Sequence, residues 1–446
     1  MPVSPARATA FDILLRVERE SAYAAELLHS AAYNRLSAAD HALATELVMG
    51  VVRWRSALDA EISPASSQPL RKLDPEVLTA LRLALYQFRW LDRIPARAAL
   101  HESVELVKRA RKRSAAPFVN AVLRKLSAAP PAAIRRSRVN PSPQVLTETL
   151  AHPLWMVERW ARDYGLARAR QICQHDQSIP TTAIRLRRPE SESQLAAQGI
   201  ELLPGALLSS ARRFQSGDLT RTEAFRKGQV VIQDEAAQLV AALVGPGERI
   251  LDCCASPGGK TLAIADRNPN AAITAIEIHP HRARLLRQLL STEASSRIKI
   301  VAADARSLPI AQFFDRILAD VPCSGTGTLG RNPEIKWRLK PEDLRDLHDR
   351  QLAILLSALA QVAPGGHLIY STCSLEKEEN EDVVERAMSE NKTFAVVDCL
   401  SPLTRLKQSG ELLASDPASL TRGPYLRTIP GVHPCDGFFA AILKKK

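Results

Sequence analysis

Residues 249–261 have the sequence RILDCCASPGGKT, and this stretch decides the fold of the second half of the chain. Arg249 to Asp252 predict a short buried strand, and a glycine loop, Cys254 to Lys260, follows it. A helix is predicted from Thr261. Strand, glycine loop and helix in this order are typical of the first unit of an α/β sheet, where the loop lets the backbone approach a ligand closely.

The same alternation of strand and helix continues to the end of the sequence. It indicates parallel strands joined by right-handed crossovers, and therefore a doubly wound α/β domain over residues 231–446. Residues 400–434 are long for a loop, so we expect either a functional lid or elements that the pattern does not reveal. The predicted strands are 249–253, 273–278, 298–302, 315–320, 367–371, 394–398 and 438–443.

The first part of the chain predicts a different architecture. Apolar residues recur at helical spacing, for example Leu43, Leu47 and Val51. Residues 1–140 therefore predict an all-α bundle, with breaks at Pro64 and Pro95 and a proline-rich linker over 127–143. Residues 141–230 mix helix and strand and predict a small α+β domain. We thus expect three domains, 1–140, 141–230 and 231–446.

Composition and charge narrow the class of protein. Of the 446 residues, 46% are hydrophobic and 24% charged, which excludes a disordered chain, a collagen-like fibre and a small disulfide scaffold. No run of 18 apolar residues and no secretory signal is found, so we expect no membrane segment. Seven cysteines, an odd number, favour a reduced, cytoplasmic protein.

The net charge of +12 is unevenly distributed along the chain. Residues 1–140 carry 22 Lys and Arg against 13 Asp and Glu, whereas residues 231–446 carry 26 of each. The densest basic cluster is 108–113. A basic part joined to a neutral part suggests that one holds a polyanion and the other does chemistry. Basic side chains that only aid solubility are the alternative.

Acidic residues end the next two predicted strands after the glycine loop. Glu277 is placed to accept hydrogen bonds from a ribose diol, and Asp304 is placed to accept one from an adenine amino group. The loop matches neither a GxxxxGK[ST] nor a GxGxxG phosphate motif. Together these features indicate a nucleoside site without a pyrophosphate clamp, and S-adenosylmethionine fits that description. The alternative is a tight turn with solvated acids at the strand ends.

Two cysteines end neighbouring predicted strands, Cys323 after Asp320-Val-Pro and Cys373 after Ser371-Thr. The spacing of cysteines and histidines predicts no metal site. A thiolate that adds to carbon 6 of cytosine makes carbon 5 nucleophilic, so that carbon 5 can attack an electrophilic methyl group. Asp320 could hydrogen-bond N3 of the ring if one of the two partners is protonated, which would help the ring to accept charge. The residues alone leave open which thiol attacks.

The remaining cysteines and two loops complete the prediction. The intervening loop 324–338 contains glycine, basic and aromatic residues that suit a splayed-out nucleotide. The acidic run 376–385 predicts a solvated helix face, and Asn380 is a candidate to support the loop of Cys373. Buried hydrophobic positions are predicted for four cysteines, Cys173, Cys253, Cys399 and Cys435.

These motifs resemble those of RNA cytosine-C5 methyltransferases of the Sun/Fmu family. The resemblance is carried by LDCCASPGGKT at 251–261, DVPCSGTG at 320–327, and STCS at 371–374 with Glu378, Glu379 and Asn380. FVNAVLR at 118–124 resembles the NusB-like helical RNA-binding domain of the subgroup that acts on ribosomal RNA. Similarity thus covers nearly the whole chain.

The resemblance implies a Rossmann-like, S-adenosylmethionine-dependent domain that methylates carbon 5 of one cytidine in 16S ribosomal RNA. Cys373 matches the family's nucleophile, and Cys323 matches the cysteine that helps to release the product. We expect a monomer. An RNA-binding antitermination or assembly factor, and a tRNA-directed enzyme, are the alternatives. The positions that match cofactor contacts are Cys254, Ala255, Ser256, Pro257, Gly258, Gly259, Lys260, Glu277, Asp304 and Asp320.

Overall fold

A computed structural model describes residues 3–20, 22–30, 33, 36–129, 142–290, 297–310 and 312–446. Contacts between residues divide the chain into two compact units. Unit 1 comprises Met1–Ile179 and Leu329–Leu339, and unit 2 comprises Pro180–Thr328 and Lys340–Lys446. Most of the predicted linker 127–143, with the predicted boundary at residue 140, lies outside the described residues.

The described helices are α1 (Pro5–Glu20), α2 (Ala24–Leu28), α3 (Ala38–Arg53), α4 (Arg55–Ala65), α5 (Pro75–Trp90), α6 (Ala96–Arg109), α7 (Ala116–Ala128), α8 (Pro143–Leu150), α9 (Leu154–Tyr164), α10 (Leu166–Asp176), α11 (Ser191–Ala197), α12 (Glu223–Arg226), α13 (Glu235–Leu243), α14 (Gly259–Arg267), α15 (Pro280–Leu289), α16 (Ile335–Arg338), α17 (Asp343–Leu359), α18 (Glu381–Glu390) and α19 (Leu400–Gln408). The described strands are β1 (Ala183–Leu186), β2 (Glu201–Pro204), β3 (Ala211–Ser216), β4 (Val230–Ile232), β5 (Arg249–Asp252), β6 (Ala272–Glu277), β7 (Ile298–Ala302), β8 (Phe314–Asp320), β9 (Val362–Thr372), β10 (Phe394–Val397), β11 (Thr421–Arg422), β12 (Tyr425–Arg427) and β13 (Phe439–Lys445).

Unit 1 is helical, as the periodicity of its apolar residues predicts. Leu47, Leu81 and Leu85 are completely buried in a core shared by the first seven helices. The break predicted at Pro64 is confirmed to within one residue, because α4 ends at Ala65.

The predicted small α+β domain, 141–230, is divided between the two units. Its helices α8, α9 and α10 belong to unit 1, whereas its strands form an antiparallel sheet of order β2-β3-β1-β4 in unit 2. The three-domain boundaries remain a prediction.

The large sheet of unit 2 has the order β11-β12-β13-β9-β8-β5-β6-β7, and β10 pairs with β13. Within the run β9-β8-β5-β6-β7, adjacent strands are parallel to one another, as predicted. Alternate residues of each strand enter different cores, for example Ile250 and Leu251, so both faces of the sheet are buried.

The edge of this sheet corrects the expectation of parallel strands throughout. β13 is antiparallel to β9, and β10 is antiparallel to β13. Residues 400–434 contain α19, β11 and β12 rather than one long loop. β11 and β12 span two and three residues, which is too short for an alternating pattern to be recognised. Within the described part of the chain, every helix is too short or too polar to cross a lipid bilayer.

Candidate active site

The glycine loop lies where the sequence predicts it, between β5 and α14. The chain enters α14 at Gly258, whose φ of 111° is unfavourable for residues with a side chain. Ala255 donates its backbone N–H to the carbonyl of Ile276 on the next strand, at 2.8 Å. The loop is thereby fixed to β6, and the first N–H groups of α14 lie at the carboxyl edge of the sheet.

Two buried polar side chains, Asp252 and Thr261, hold the ends of this loop together. Thr261 donates to the carboxylate of Asp252 at 2.7 Å, and burial raises the pKa of Asp252 to about 6. Burial also raises the pKa of the Cys254 thiol well above its usual value. Cys254 is therefore a neutral side chain of the loop rather than a second nucleophile.

The acids predicted at the strand ends occupy those ends. Glu277, the last residue of β6, is 6% exposed and accepts a hydrogen bond from the backbone N–H of His279. Asp304 follows β7 and is paired with Arg306 at 2.6 Å. Hydrogen bonds from the Arg306 side chain and backbone hold the pKa of Asp304 below its usual value. Both acids are therefore placed as acceptors for a ligand's donors.

Asp320 ends β8 and is held from two sides. Its Oδ2 lies 2.7 Å from Nζ of Lys260, and its Oδ1 accepts a hydrogen bond from Ser371 at 2.7 Å. Burial lowers the pKa of Lys260, but the Asp320 carboxylate outweighs that effect, so the pKa is raised. The sequence places Lys260 among the cofactor contacts; the structure shows that it also connects the glycine loop to the end of β8.

The two predicted cysteines meet at the carboxyl ends of β8 and β9. Asp320 and Ser371 are direct partners in the sheet register, and the sulfur atoms of Cys323 and Cys373 are 3.3 Å apart. The hydrogen bond with Cys373, together with burial, raises the pKa of Cys323 well above its usual value. Cys323 is therefore a thiol that can donate to the sulfur of Cys373.

Glu379 connects the loops of the two cysteines. It is fully buried, and its Oε1 accepts hydrogen bonds from the Ser324 backbone and from Gln351, each at 2.8 Å. Its Oε2 accepts hydrogen bonds from the hydroxyl groups of Ser324 and Ser374. The sequence assigns most of the acidic run to a solvated face, and that assignment is wrong for Glu379 and for the buried Glu376.

Asn380 supports the loop of Cys373, as the sequence suggests. Its side chain bonds to Thr372 at 2.5 Å and to the carbonyl of Ser374 at 3.0 Å. The four cysteines predicted as hydrophobic core residues, Cys173, Cys253, Cys399 and Cys435, are all buried.

The predicted nucleotide loop 324–338 is divided between the units after Thr328. In unit 1, Lys336 is 1% exposed and donates to the carbonyls of Arg53 and Ala151 at 2.9 and 3.0 Å. Trp337 donates to the carbonyl of Val52 at 2.7 Å. Both side chains are fixed by backbone carbonyl groups of unit 1.

The donor set fits S-adenosylmethionine. Carboxylates at the ends of β6 and β7 match the hydroxyl and amino groups of a nucleoside, and the N-terminus of α14 matches a carboxylate. The described residues contain no group of three or more His, Cys, Asp or Glu that could hold a metal ion.

Comparisons with known proteins identify the family of the chain. The family model of the 16S rRNA methyltransferase RsmB/F matches residues 241–444, and the NusB family model matches residues 4–128. The probable ribosomal RNA small subunit methyltransferase B of Bacillus subtilis (strain 168) is 35% identical and aligns over 100% of both chains. Ribosomal RNA small subunit methyltransferase B of Vibrio cholerae is 30% identical, over 93% of this chain and 92% of that protein.

Similarity to a solved structure extends over the complete fold. The crystal structure of PH0851 superposes with a TM-score of 0.81 at 23% identity, covering 100% of both chains, and so supports the fold alone. Full-length similarity to the curated relatives shows more: the chain belongs to the 16S rRNA methyltransferase RsmB/F family and is a methyltransferase whose methyl donor is S-adenosylmethionine.

Proposed function

We propose that the protein methylates carbon 5 of cytosine 967 in 16S ribosomal RNA through a transient bond between Cys373 and carbon 6 of the base. One observation carries this proposal. Two thiols lie 3.3 Å apart at the carboxyl ends of neighbouring strands, in the same unit as a nucleoside-binding loop. The relatives' names supply the class of RNA.

The chemistry requires a nucleophile because carbon 5 of cytosine does not attack a methyl group by itself. Addition of the Cys373 thiolate to carbon 6 places electron density on carbon 5. S-adenosylmethionine, when bound, supplies an electrophilic methyl group. After carbon 5 is methylated, its hydrogen leaves as a proton and the sulfur–carbon bond breaks, which restores the Cys373 thiolate and the aromatic ring.

The two thiols have different roles in this proposal. The raised pKa of Cys323 keeps its proton in place, so Cys323 can donate a hydrogen bond that stabilises a thiolate on Cys373. Cys323 then assists release of the methylated base by donating the same hydrogen bond to the departing Cys373 thiolate, while water accepts the proton that carbon 5 loses. Asp320, oriented by Lys260 and Ser371, accepts a hydrogen bond from protonated N3 of the ring, and this proton stabilises the charge that addition creates.

The cofactor is held by the residues that the sequence proposes. Backbone N–H groups of the loop from Cys254 to Lys260, at the start of α14, receive its carboxylate end. Glu277 accepts from the ribose hydroxyl groups, and Asp304 accepts from the adenine amino group.

Replacing each cysteine in turn tests the mechanism. Cys373→Ala should abolish methyl transfer to ribosomal RNA while S-adenosylmethionine still binds. Cys323→Ala should accumulate a covalent RNA adduct, visible on a denaturing gel. Cys435→Ala, which changes a buried cysteine of the same unit, is the control and should remain active. Full activity of Cys373→Ala would disprove the mechanism.

The RNA target and the oligomeric state have their own tests. Bisulfite sequencing should show that one cytosine of ribosomal RNA is modified in the presence of the protein and unmodified in its absence. Methyl transfer to tRNA but not to ribosomal RNA would favour the tRNA-directed enzyme.

We also propose a cytoplasmic monomer, because all of the catalytic groups lie in one unit of one chain and the described cysteines form no disulfide. Light scattering of the purified protein tests the monomer.

A further inference from the structure

Unit 1 contains a cavity of about 160 Å³. Its apolar wall comes from α1 and α3, with Leu14, Val51 and Val52, and from the Trp337 ring. Its polar wall includes Glu334 and three arginines. No step of the proposed methylation uses this cavity.

Glu334 gives the cavity a hydrogen-bond acceptor without a donor. The residue is 1% exposed, and its Oε1 accepts the backbone N–H of Ala24 at 2.8 Å. Its Oε2 is also buried, and none of the residues that the structure describes donates a hydrogen bond to it. Because a buried carboxylate oxygen without a donor is costly, this atom marks the position of an N–H group of a ligand.

Three arginines and two glutamates, Glu18 and Glu334, line the same cavity. Arg82 is bound on two sides, by Asp59 at 2.6 Å and by Glu18 at 2.9 Å. Arg55 lies 3.2 Å from Glu18, and its side chain is 31% exposed. Burial and the nearby charges of Arg82 and Arg338 lower the pKa of Arg55. An anion beside Arg55 would relieve this repulsion, and a phosphate group would suit a guanidinium.

The size and chemistry of the cavity select one kind of ligand. A cavity of about 150 Å³ accommodates a benzene-sized ring, so one pyrimidine fits. We propose that this cavity binds a cytidine nucleotide of single-stranded RNA, with its amino group donating to Glu334 and its phosphate beside Arg55. Uracil has a carbonyl oxygen where cytosine has the amino group, and that oxygen would repel Glu334. The origin of the ligand in RNA rests on the proposed function. The cavity and the unpaired Oε2 atom of Glu334 are independent of it.

Fluorine NMR of the full-length protein labelled with 5-fluorotryptophan tests this proposal. All five tryptophans lie in unit 1: Trp54, Trp90, Trp155, Trp160 and Trp337. Unit 2, which carries Cys323 and Cys373, therefore contains no fluorine label. The Trp337 signal is assigned by its loss in Trp337→Phe. CMP should shift this signal saturably, and UMP should bind about tenfold more weakly.

Glu334→Gln provides the decisive comparison. The glutamine can still accept the Ala24 N–H, and its amide N–H₂ then replaces the orphan oxygen. This variant should prefer UMP to CMP, whereas the control Glu20→Gln, at an exposed carboxylate of α1, should retain the preference for CMP. The proposal fails if neither nucleotide shifts the Trp337 signal, if both bind equally, or if Glu334→Gln still prefers CMP. Because no methylation is measured, these outcomes are separate from failure of the cysteine mechanism.

Discussion

At the scale of single residues, Glu379 connects the loops of Cys323 and Cys373 by accepting four hydrogen bonds. Cys323 and Cys373 can be found because each ends a strand of a parallel sheet, and such ends meet at one edge. Glu379 cannot be found in this way. It lies in a run of acids that is typical of a solvated helix face, and its burial depends on hydroxyl and amide groups from other loops.

Glu379→Gln should therefore damage both stability and catalysis. An amide would face hydroxyl groups that now donate to a carboxylate, so we expect a loss of about 1–3 kcal/mol in the free energy of unfolding. A shift of the cysteine loops should reduce kcat by about 100-fold. Urea unfolding and methyl-transfer kinetics measure the two effects. Glu378→Gln, at the neighbouring position, should behave like the wild type; equal effects of both variants would contradict the role of Glu379.

Lys336 should make the stability of unit 1 depend on pH. Burial lowers its pKa to about 7, partly opposed by Asp176 and Cys173. Above that value the unfolded chain holds a proton that the folded chain has released, so stability should rise between about pH 7 and pH 8, by at most about 1.4 kcal/mol per unit.

Urea unfolding followed by tryptophan fluorescence measures this slope. Lys336→Met should flatten it, and Lys72→Met, at an exposed lysine of the same unit, should not. The buried thiols of the chain titrate alike in all three proteins, so the comparison cancels their contribution. Equal slopes for the wild type and Lys336→Met would show that the amine is charged throughout this range.

At the scale of elements, the central strands are predicted to within a few residues because their apolar residues are buried on both faces of the sheet. The edge is not predicted as well. Alternation along the sequence does not distinguish the antiparallel β10 and β13 from further parallel strands, since direction depends on which edge the chain returns to. The sequence does not reveal β2 and β3, which contain charged residues or proline, or β4, which spans only three residues.

The turn after β8 requires glycine at position 327. A Cβ atom there would lie 2.1 Å from the carbonyl oxygen of Gly437 and 2.8 Å from that of Cys373. Gly327→Ala should therefore displace the Cys373 loop, lower stability by about 1–3 kcal/mol and reduce methyl transfer. At Gly330 the nearest atom would be 3.7 Å away, so Gly330→Ala should remain active and stable. Calorimetry and the transfer assay test both variants, and an active Gly327→Ala would contradict this account.

At the scale of the whole molecule, the uneven charge is visible in the sequence, but its surface arrangement is not. Within the cluster 108–113, Lys108 pairs with Glu105 at 2.7 Å and Lys112 with Asp74 at 3.0 Å. Arg111 and Arg113 are exposed. The acids that partner this cluster lie on other helices or other turns, so only the fold shows which charges remain accessible to phosphates.

Arg111→Gln combined with Arg113→Gln should weaken RNA binding at low salt. Loss of two phosphate contacts should reduce the slope of log Kd against log salt concentration by about 1.5. Filter binding at several salt concentrations measures this slope. The matched pair Arg284→Gln and Arg287→Gln removes the same charge from exposed positions of α15, in the neutral half, and should leave the slope unchanged. Equal losses in both double variants would indicate a general charge effect.

Unit 1 includes Leu329–Leu339, so neither unit corresponds to one continuous stretch of the gene. A single recombination junction therefore cannot exchange either unit whole. A fragment that stops at Ile179 would lack the peptide bearing Glu334, and one that starts at Pro180 would carry Lys336 and Trp337 without the helices that bury them.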